Sequence, residues 1–410
     1  MNTRTGVATV ASTDAAREAR VAAALALFTP SERAQLLTLR RSLHAHPELS
    51  GQERGTQARL VAALAHHGIT DVRVIADTGL VATITGTRAG APVIALRGDM
   101  DALPITEETG LPFASQSPGV MHACGHDMHA SWAVAAALLL KRNPSEGDVR
   151  VILQPAEEVG EGAKSVLASG VLDDVHVIFG GHVDWRFAVG EVVATAGPLA
   201  ASTDTFEVTF HGRGGHGARP HDTIDPVIGL GAFIMGVQTL VSRRLDPGLP
   251  GVVTVGVVQG GNASNVIAEL AHCAGTIRAT TPESRALLCN GVQALADGVA
   301  ATHALRAEVQ IREGTPPLVN TARAAAWAQA AARRLLGDDS LKTLATANMG
   351  GEDFACYTER MEGCFLRVGT WREGRSRSGV HTPRFDPDED ALFVAGALLA
   401  ECARTASAAR

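Results

Sequence analysis

Apolar runs that end in ligand-type residues recur along the first half of this chain. Val93-Ile94-Ala95-Leu96 is apolar on both faces, as expected of a buried parallel strand, and it runs into Arg97-Gly98-Asp99-Met100-Asp101. Val149 to Leu153 predicts a second such strand, ending in Gln154-Pro155-Ala156-Glu157-Glu158. Val175 to Phe179 predicts a third, ending in Gly180-Gly181-His182. Helical spacing predicts helices over Ser31 to Arg41, with Ser31 as cap and Leu36, Leu37 and Leu39 as the apolar face, and over Gln52 to His67, stopped at Gly68. Val72 to Ile75 and Gly79 to Ile84 read as short strands, and Ala130 to Arg142 as a strongly apolar helix. In open α/β sheets, ligands bind beyond the carboxyl ends of the strands. Three strand ends carrying carboxylates and an imidazole therefore point to one site.

The pattern changes near Pro198. Thr203 to Phe210 alternates, with Phe206, Val208 and Phe210 on one face. Gly212 to Pro220 is glycine-rich and holds His216 and Arg219. A helix over Asp225 to Val241 (Asp225 as cap, Pro226 in the first turn) follows. Strands over Val252 to Val258 and Ala274 to Ala279, a helix over Pro282 to His303 and a strand over Ala307 to Ile311 come next. This strand-helix-strand-strand-helix-strand order predicts a ferredoxin-like unit. Pro316-Pro317 marks the return to the α/β pattern, with a helix over Thr321 to Leu336, a strand over Cys364 to Gly369 and a closing helix over Glu389 to Ala403. His381 stands on the loop between the last two. The expected architecture is α/β: a mostly parallel-sheet domain over 31–198 and 313–410, an inserted α+β unit over 199–312, and an extension over 1–30.

Composition narrows the classes. A length of 410 residues favours two domains, and 46% hydrophobic against 19% charged residues marks a globular chain. A net charge of -7 argues against a nucleic-acid-binding surface. No uninterrupted apolar run reaches the ~18 residues of a membrane span, and the first thirty residues lack the compact apolar core of a signal peptide. The six cysteines, Cys124, Cys273, Cys289, Cys356, Cys364 and Cys402, show no close pair spacing and read as free thiols of a reducing compartment, with the cytoplasm as the default.

The densest chemistry is Met121-His122-Ala123-Cys124-Gly125-His126-Asp127-Met128-His129, with a thiol, three imidazoles and a carboxylate in nine residues. Thiolate and imidazole are the usual ligands of a borderline-soft divalent ion; the alternative is a strand-to-helix loop with satisfied buried histidines. The adjacent Glu157 and Glu158 point different ways, so one can ligate a metal while the other stays free as a base; a solvated turn is the plainer reading.

These residues, with His44-Ala45-His46-Pro47-Glu48, Arg97 through Pro104, Gly215-His216-Gly217, Asn265-Val266-Ile267, Gly275-Thr276-Ile277-Arg278 and His381 through Phe385, stand in the order of a known family. The chain resembles an M20-type metallo-aminoacylase, and more narrowly the amidohydrolase branch that includes hippurate, N-acyl-amino-acid and auxin-conjugate hydrolases. The resemblance runs from about His44 to the C-terminal helix. It implies a site for two divalent metal ions (zinc or manganese, with cobalt or nickel as further candidates). The ligands it implies are Cys124, His126, Glu158, His182 and His381, with the Cys124 thiolate bridging and Glu157 as general base. A thiolate bridge suits zinc or cobalt better than manganese. Asp99 and Asp101 are implied to orient ligands without being ligands, and His129 is left open. The inserted unit becomes a lid and dimerisation domain. In it the resemblance implies that His216 stabilises an oxyanion, reaching in from a partner subunit, and that Asn265 and Arg278 bind a substrate carboxylate. One departure is Ile267-Ala268-Glu269, where relatives commonly carry proline after the isoleucine.

The expected activity is hydrolysis of an N-acyl amino acid to a carboxylic acid and a free amino acid, in a homodimer with a small-molecule substrate and no nucleic-acid or membrane partner. A dipeptidase or carboxypeptidase using the same residues is the second reading, and a non-catalytic metal-binding protein the third.

Overall fold

The computed structural model describes residues 5–375 and 377–409. The first four residues of the expected extension therefore lie outside the described residues. Thr5–Leu25 is a helix, and Val21, Ala24 and Phe28 are buried in the same core as the central sheet. Glu18 pairs with Arg372 at 2.8 Å.

The chain divides into two compact units. The first runs to Gly197 and takes up Asn320–Ala345 and the chain from Cys356 onward; the second holds Pro198–Val319 and Thr346–Ala355. The first unit is built on an eight-stranded mixed sheet in the order Val72–Ile75, Gly79–Ile84, Val149–Gln154, Val93–Asp99, Val175–Ala188, Glu362–Trp371, Val192–Val193, Leu341–Lys342. Its centre is parallel: Val93–Asp99 pairs in parallel with both neighbours, and Val175–Ala188 with Glu362–Trp371. The margin formed by Val72–Ile75 and Gly79–Ile84 is antiparallel. The helix His126–Arg142 packs on Val93–Asp99 and on the closing helix Asp390–Ala408. Both helices are buried along nearly their whole length, which is why neither shows a polar stripe in the sequence.

Element boundaries differ from the sequence reading where local chemistry is decisive. The first long helix is Pro30–Ala45, and its cap is Thr29, not Ser31. Thr29 Oγ1 accepts from the Glu32 N–H while the Glu32 carboxylate accepts from the Thr29 N–H, a reciprocal capping box. Thr321 stands before Ala322–Leu336 but makes no side-chain cap; its hydroxyl is taken by Glu362. The strand expected to stop at Phe179 continues to Ala188, because Glu362–Trp371 pairs with it from Val177 to Ala188. His182 therefore sits inside a strand and not beyond its end.

The second unit has the expected order of elements. Asp204–His211, Gly251–Gly260, Leu270–Ala279 and Arg306–Arg312 form an antiparallel sheet, with Leu270–Ala279 and Asp204–His211 in the middle. Pro226–Thr239 (capped by Asp225) and Pro282–Thr302 pack on it over Phe206, Val208 and Phe210, with Phe233 of the first helix against both phenylalanines. Among the described residues, two helical stretches, Pro226–Arg244 and Asp390–Ala408, are long and apolar enough to cross a membrane. The second is 78% buried over its apolar window, as a core helix of the first unit.

Candidate metal centre

Four segments of the first unit bring the five candidate ligands together. Gly125 starts the His126–Arg142 helix with φ 86°, and a Cβ there would stand 2.8 Å from Val183 Cγ2. Only glycine meets both the left-handed backbone and the close approach. The turn at Gly125 sets Cys124 on one side and His126 in the first helical turn on the other. Glu157 and Glu158 follow Ala156, which has φ 55°. Their turn is pinned by two backbone donors: the Ala156 N–H to the Glu53 carboxylate at 3.0 Å and the Glu158 N–H to Asp101 Oδ2 at 3.0 Å. His381 has φ 60° and is held by its N–H to the Ala123 carbonyl at 2.8 Å.

The resulting cluster has two overlapping donor groups. Cys124, His126 and His182 form one, and Cys124, Glu158 and His381 the other; His126, Glu157 and Glu158 form a third beside them. Cys124 Sγ lies 3.2 Å from His182 Nε2, and His381 Nε2 lies 3.6 Å from Glu158 Oε1. His126 Nε2 is 3.8 Å from Glu158 Oε1 and 3.9 Å from Glu157 Oε2.

Hydrogen bonds decide which imidazole nitrogens face the cluster. His126 Nδ1 donates to Asp101 Oδ1 at 3.1 Å, and His182 Nδ1 donates to the Val183 carbonyl at 2.8 Å. Both Nε2 atoms are thus turned inward. His129 is different. Its Nδ1 donates to Asp99 at 2.6 Å and its Nε2 accepts the Val183 N–H at 3.0 Å, so both nitrogens are used. His129 is a bracket for the strand that carries His182, with Trp132 stacked on its ring at 4.4 Å. Asp99 also pairs with Arg97, whose Nε donates to Gln154 Oε1; the Tyr357 hydroxyl donates to the same oxygen.

The residues fit a cation. His126 Nε2 and Glu158 Oε1 are buried with no hydrogen-bond partner among the described residues, an arrangement that is costly unless something else fills it. Burial opposes a charge on His126, yet Asp99, Cys124 and Asp101 outweigh it and raise its pKa well above the usual value: the pocket calls for positive charge. Burial, with His129 and Arg367 nearby, holds His182 neutral, the ligating form. Burial also pushes the Cys124 thiol up, so only a cation at the sulfur would make it a thiolate. Soft sulfur, imidazole and carboxylate together suit zinc or a later first-row ion.

In the second unit, His216 and Asn265 share one small ribbon: His216 pairs in register with Val266, and the Gly217 N–H donates to the Asn265 carbonyl at 2.8 Å. Both side chains are exposed. His216 Nδ1 accepts the Ala218 N–H at 3.0 Å, which leaves the proton on Nε2. Arg278 lies in Leu270–Ala279, opposite Val252. The Ala268 departure leaves the neighbouring Val266–Ile267 paired with Gly215–His216. Sequence reasoning missed Arg40, Glu107 and Asp127, which surround His44 behind the cluster. Asp127 was visible as the residue after His126; Glu107, in a stretch without periodicity, gave no signal.

A largely parallel central sheet whose strands and following loops carry paired donor groups is a metallohydrolase arrangement. The model of peptidase family M20/M25/M40 matches residues 95–405. The chain belongs to this family, and is a hydrolase by that membership. It is 41% identical over 373 residues to an N-acetylcysteine deacetylase of Bacillus subtilis (90% of this chain, 96% of that one). It is 36% identical over 375 residues to the IAA-amino acid hydrolase ILR1-like 4 of Arabidopsis thaliana (90% and 84%). Among solved structures, it is similar to the Bacillus subtilis YXEP protein, a dinuclear metal binding peptidase from the M20 family, with a TM-score of 0.80 and 38% identity (91% and 97%).

Proposed function

We propose that this chain is a two-metal amidohydrolase that cleaves N-acyl amino acids to a carboxylic acid and a free amino acid. The observation that carries the reading is the pair of donor groups sharing Cys124, with Glu157 beside them. We assign Cys124, His126, Glu158, His182 and His381 as ligands, with Cys124 as the bridge, and zinc as the first candidate metal, ahead of manganese, cobalt and nickel. Ions bound there would supply Lewis acidity at the amide carbonyl and lower the pKa of water. Glu157 takes the proton of the attacking water and delivers it to the leaving nitrogen. Asp101 and the Val183 carbonyl hold the two imidazoles in the ligating tautomer. We assign His216 Nε2–H, reaching in from the second unit of a partner subunit, to stabilising the oxyanion, and Asn265 and Arg278 to the substrate carboxylate.

The deacetylase and amino-acid-conjugate hydrolase names of the relatives favour an acyl amino acid over a dipeptide. A homodimer through the second unit is supported by apolar side chains left exposed there: Val257 and Val258 on the edge strand Gly251–Gly260, and Ile228 and Met235 on the neighbouring helix. The cytoplasm suits a site that needs its cysteine reduced. The test is ninhydrin detection of amino acid released from acetyl, benzoyl and long-chain acyl amino acids and from dipeptides, using metal-stripped protein reloaded with zinc, manganese, cobalt or nickel. Metal-dependent release from the acyl conjugates is the expected result. Release from dipeptides alone would move the activity to the peptidase reading, and no release from a fully loaded protein would refute both.

A further inference from the structure

Behind the cluster lies a buried polar group that the proposed chemistry does not use. Arg40, His44 and Asp127 are at most 1% exposed. Asp127 Oδ2 accepts from His44 Nδ1 at 2.8 Å and faces Arg40 Nε at 2.9 Å. The other His44 nitrogen, Nε2, meets Glu107 Oε1 at 3.2 Å. Glu107 also accepts from the Ser115 N–H at 2.7 Å and from the Thr109 hydroxyl. One carboxylate therefore ties together a stretch, Ile105 to Ser115, that has no regular structure of its own.

The next residue carries the consequence. The Glu108 N–H donates to the Pro383 carbonyl at 2.8 Å, and its carboxylate pairs with Arg384 at 3.1 Å. Pro383 is two residues from His381, the most exposed candidate ligand at 54%. On its other side, His381 is held by the Ala123 carbonyl, and further on Phe385 is buried in the core. The exposed ion pair contributes little by itself. The Glu108 N–H that bonds Pro383 belongs to the peptide unit that joins Glu107 to Glu108, so the clasp and this bond are one residue apart.

We propose that the His44–Glu107 clasp is the positioning device for His381: it fixes Glu108, and through the Pro383 carbonyl it sets where the His381 imidazole stands relative to Glu158 and Cys124. Glu107 and His44 are positioning residues, and the proposal rests on His381 being a metal ligand.

The experiment measures zinc affinity by chelator competition and zinc content by mass spectrometry, together with amide exchange of the peptide spanning 379–385. It compares full-length wild type, Glu107→Ala, Glu107→Gln and His381→Ala. Glu107→Ala is expected to weaken one of the two zinc ions by ~10–100-fold, the range for partners that orient a ligand, to leave the other within about twofold, and to speed exchange around Pro383. Glu107→Gln keeps one acceptor for His44, so its loss should be smaller; it carries the test if the alanine variant fails to fold. Unchanged zinc affinity and exchange in the Glu107 variants, while His381→Ala loses one ion, would overturn the clasp and leave the ligand assignment standing. Equal weakening of both ions with general loss of stability would mark an ordinary structural role and also overturn it. His381→Ala retaining both ions at wild-type affinity would remove the ligand assignment, and the clasp with it.

Discussion

Asp101→Asn removes one charge from the cluster and changes almost no volume. The Asp101 carboxylate is 1% exposed and divides its work: Oδ1 accepts from His126 Nδ1, and Oδ2 accepts from both the Ser50 hydroxyl and the Glu158 N–H. Asparagine offers one oxygen. With that oxygen toward His126, the amide NH2 faces the Glu158 N–H, which is left unsatisfied at a cost of about 1–3 kcal/mol. Ser50 can turn its hydroxyl and accept. With the amide flipped, Glu158 and Ser50 keep their acceptor but His126 meets a donor. Its proton must move to Nε2, the nitrogen that faces the cluster. Either orientation disturbs a candidate ligand, His126 or Glu158. The expected result is a fall in zinc affinity of ~10–100-fold, equivalent to about 1.4–2.7 kcal/mol, with a lower melting temperature in the metal-free protein. Chelator competition and scanning calorimetry measure the two effects. Wild-type zinc affinity in Asp101→Asn would refute the tautomer argument and the assignment of His126 Nε2 as a ligating atom.

Glu157→Ala is expected to keep both metals and lose about 10²–10⁴-fold in kcat; full activity would remove Glu157 as the base. His216→Ala should leave metal content unchanged while kcat falls, and a loss of bound metal would contradict its assignment. Gly125→Ala should destabilise the protein by at least about 1–2 kcal/mol from the left-handed backbone alone, with further loss from the clash with Val183, read as a lower denaturation midpoint; an unchanged midpoint would refute the steric account. Burial raises the Glu107 pKa, but the bonds from His44, Thr109 and Ser115 outweigh it and bring it from 4.5 to about 2. A carboxylate depressed on folding contributes stability that is present above pH ~4.5 and lost as pH falls toward 2. Melting temperature should therefore fall less steeply across that window in Glu107→Gln than in wild type, and parallel curves would show that the group does not titrate as described.

What was legible in the chain followed from short-range rules. Apolar runs of strand length, helical spacing and turn residues located the central strands Val93–Asp99 and Val149–Gln154 and the six elements of the second unit, because burial on two faces or one leaves its period in the sequence. The density of thiol and imidazole around Cys124 and the paired glutamates after Gln154 marked the site, since packing alone does not ask for such residues. Three matters were decided only in three dimensions. His182 lies within a long strand because Arg367, far away in sequence, continues the ladder past Gly181. His129, adjacent in sequence to the ligand-type residues, is taken out of ligation by the Val183 N–H, a bond that no spacing in the chain encodes. Glu107 acquires its place from His44, 63 residues away, in a stretch with no period at all. A sequence records which side chains want burial and which can bind a cation; the tautomer of a ring and the partner of a carboxylate depend on what the fold brings within 3 Å, and that is a property of the tertiary structure alone.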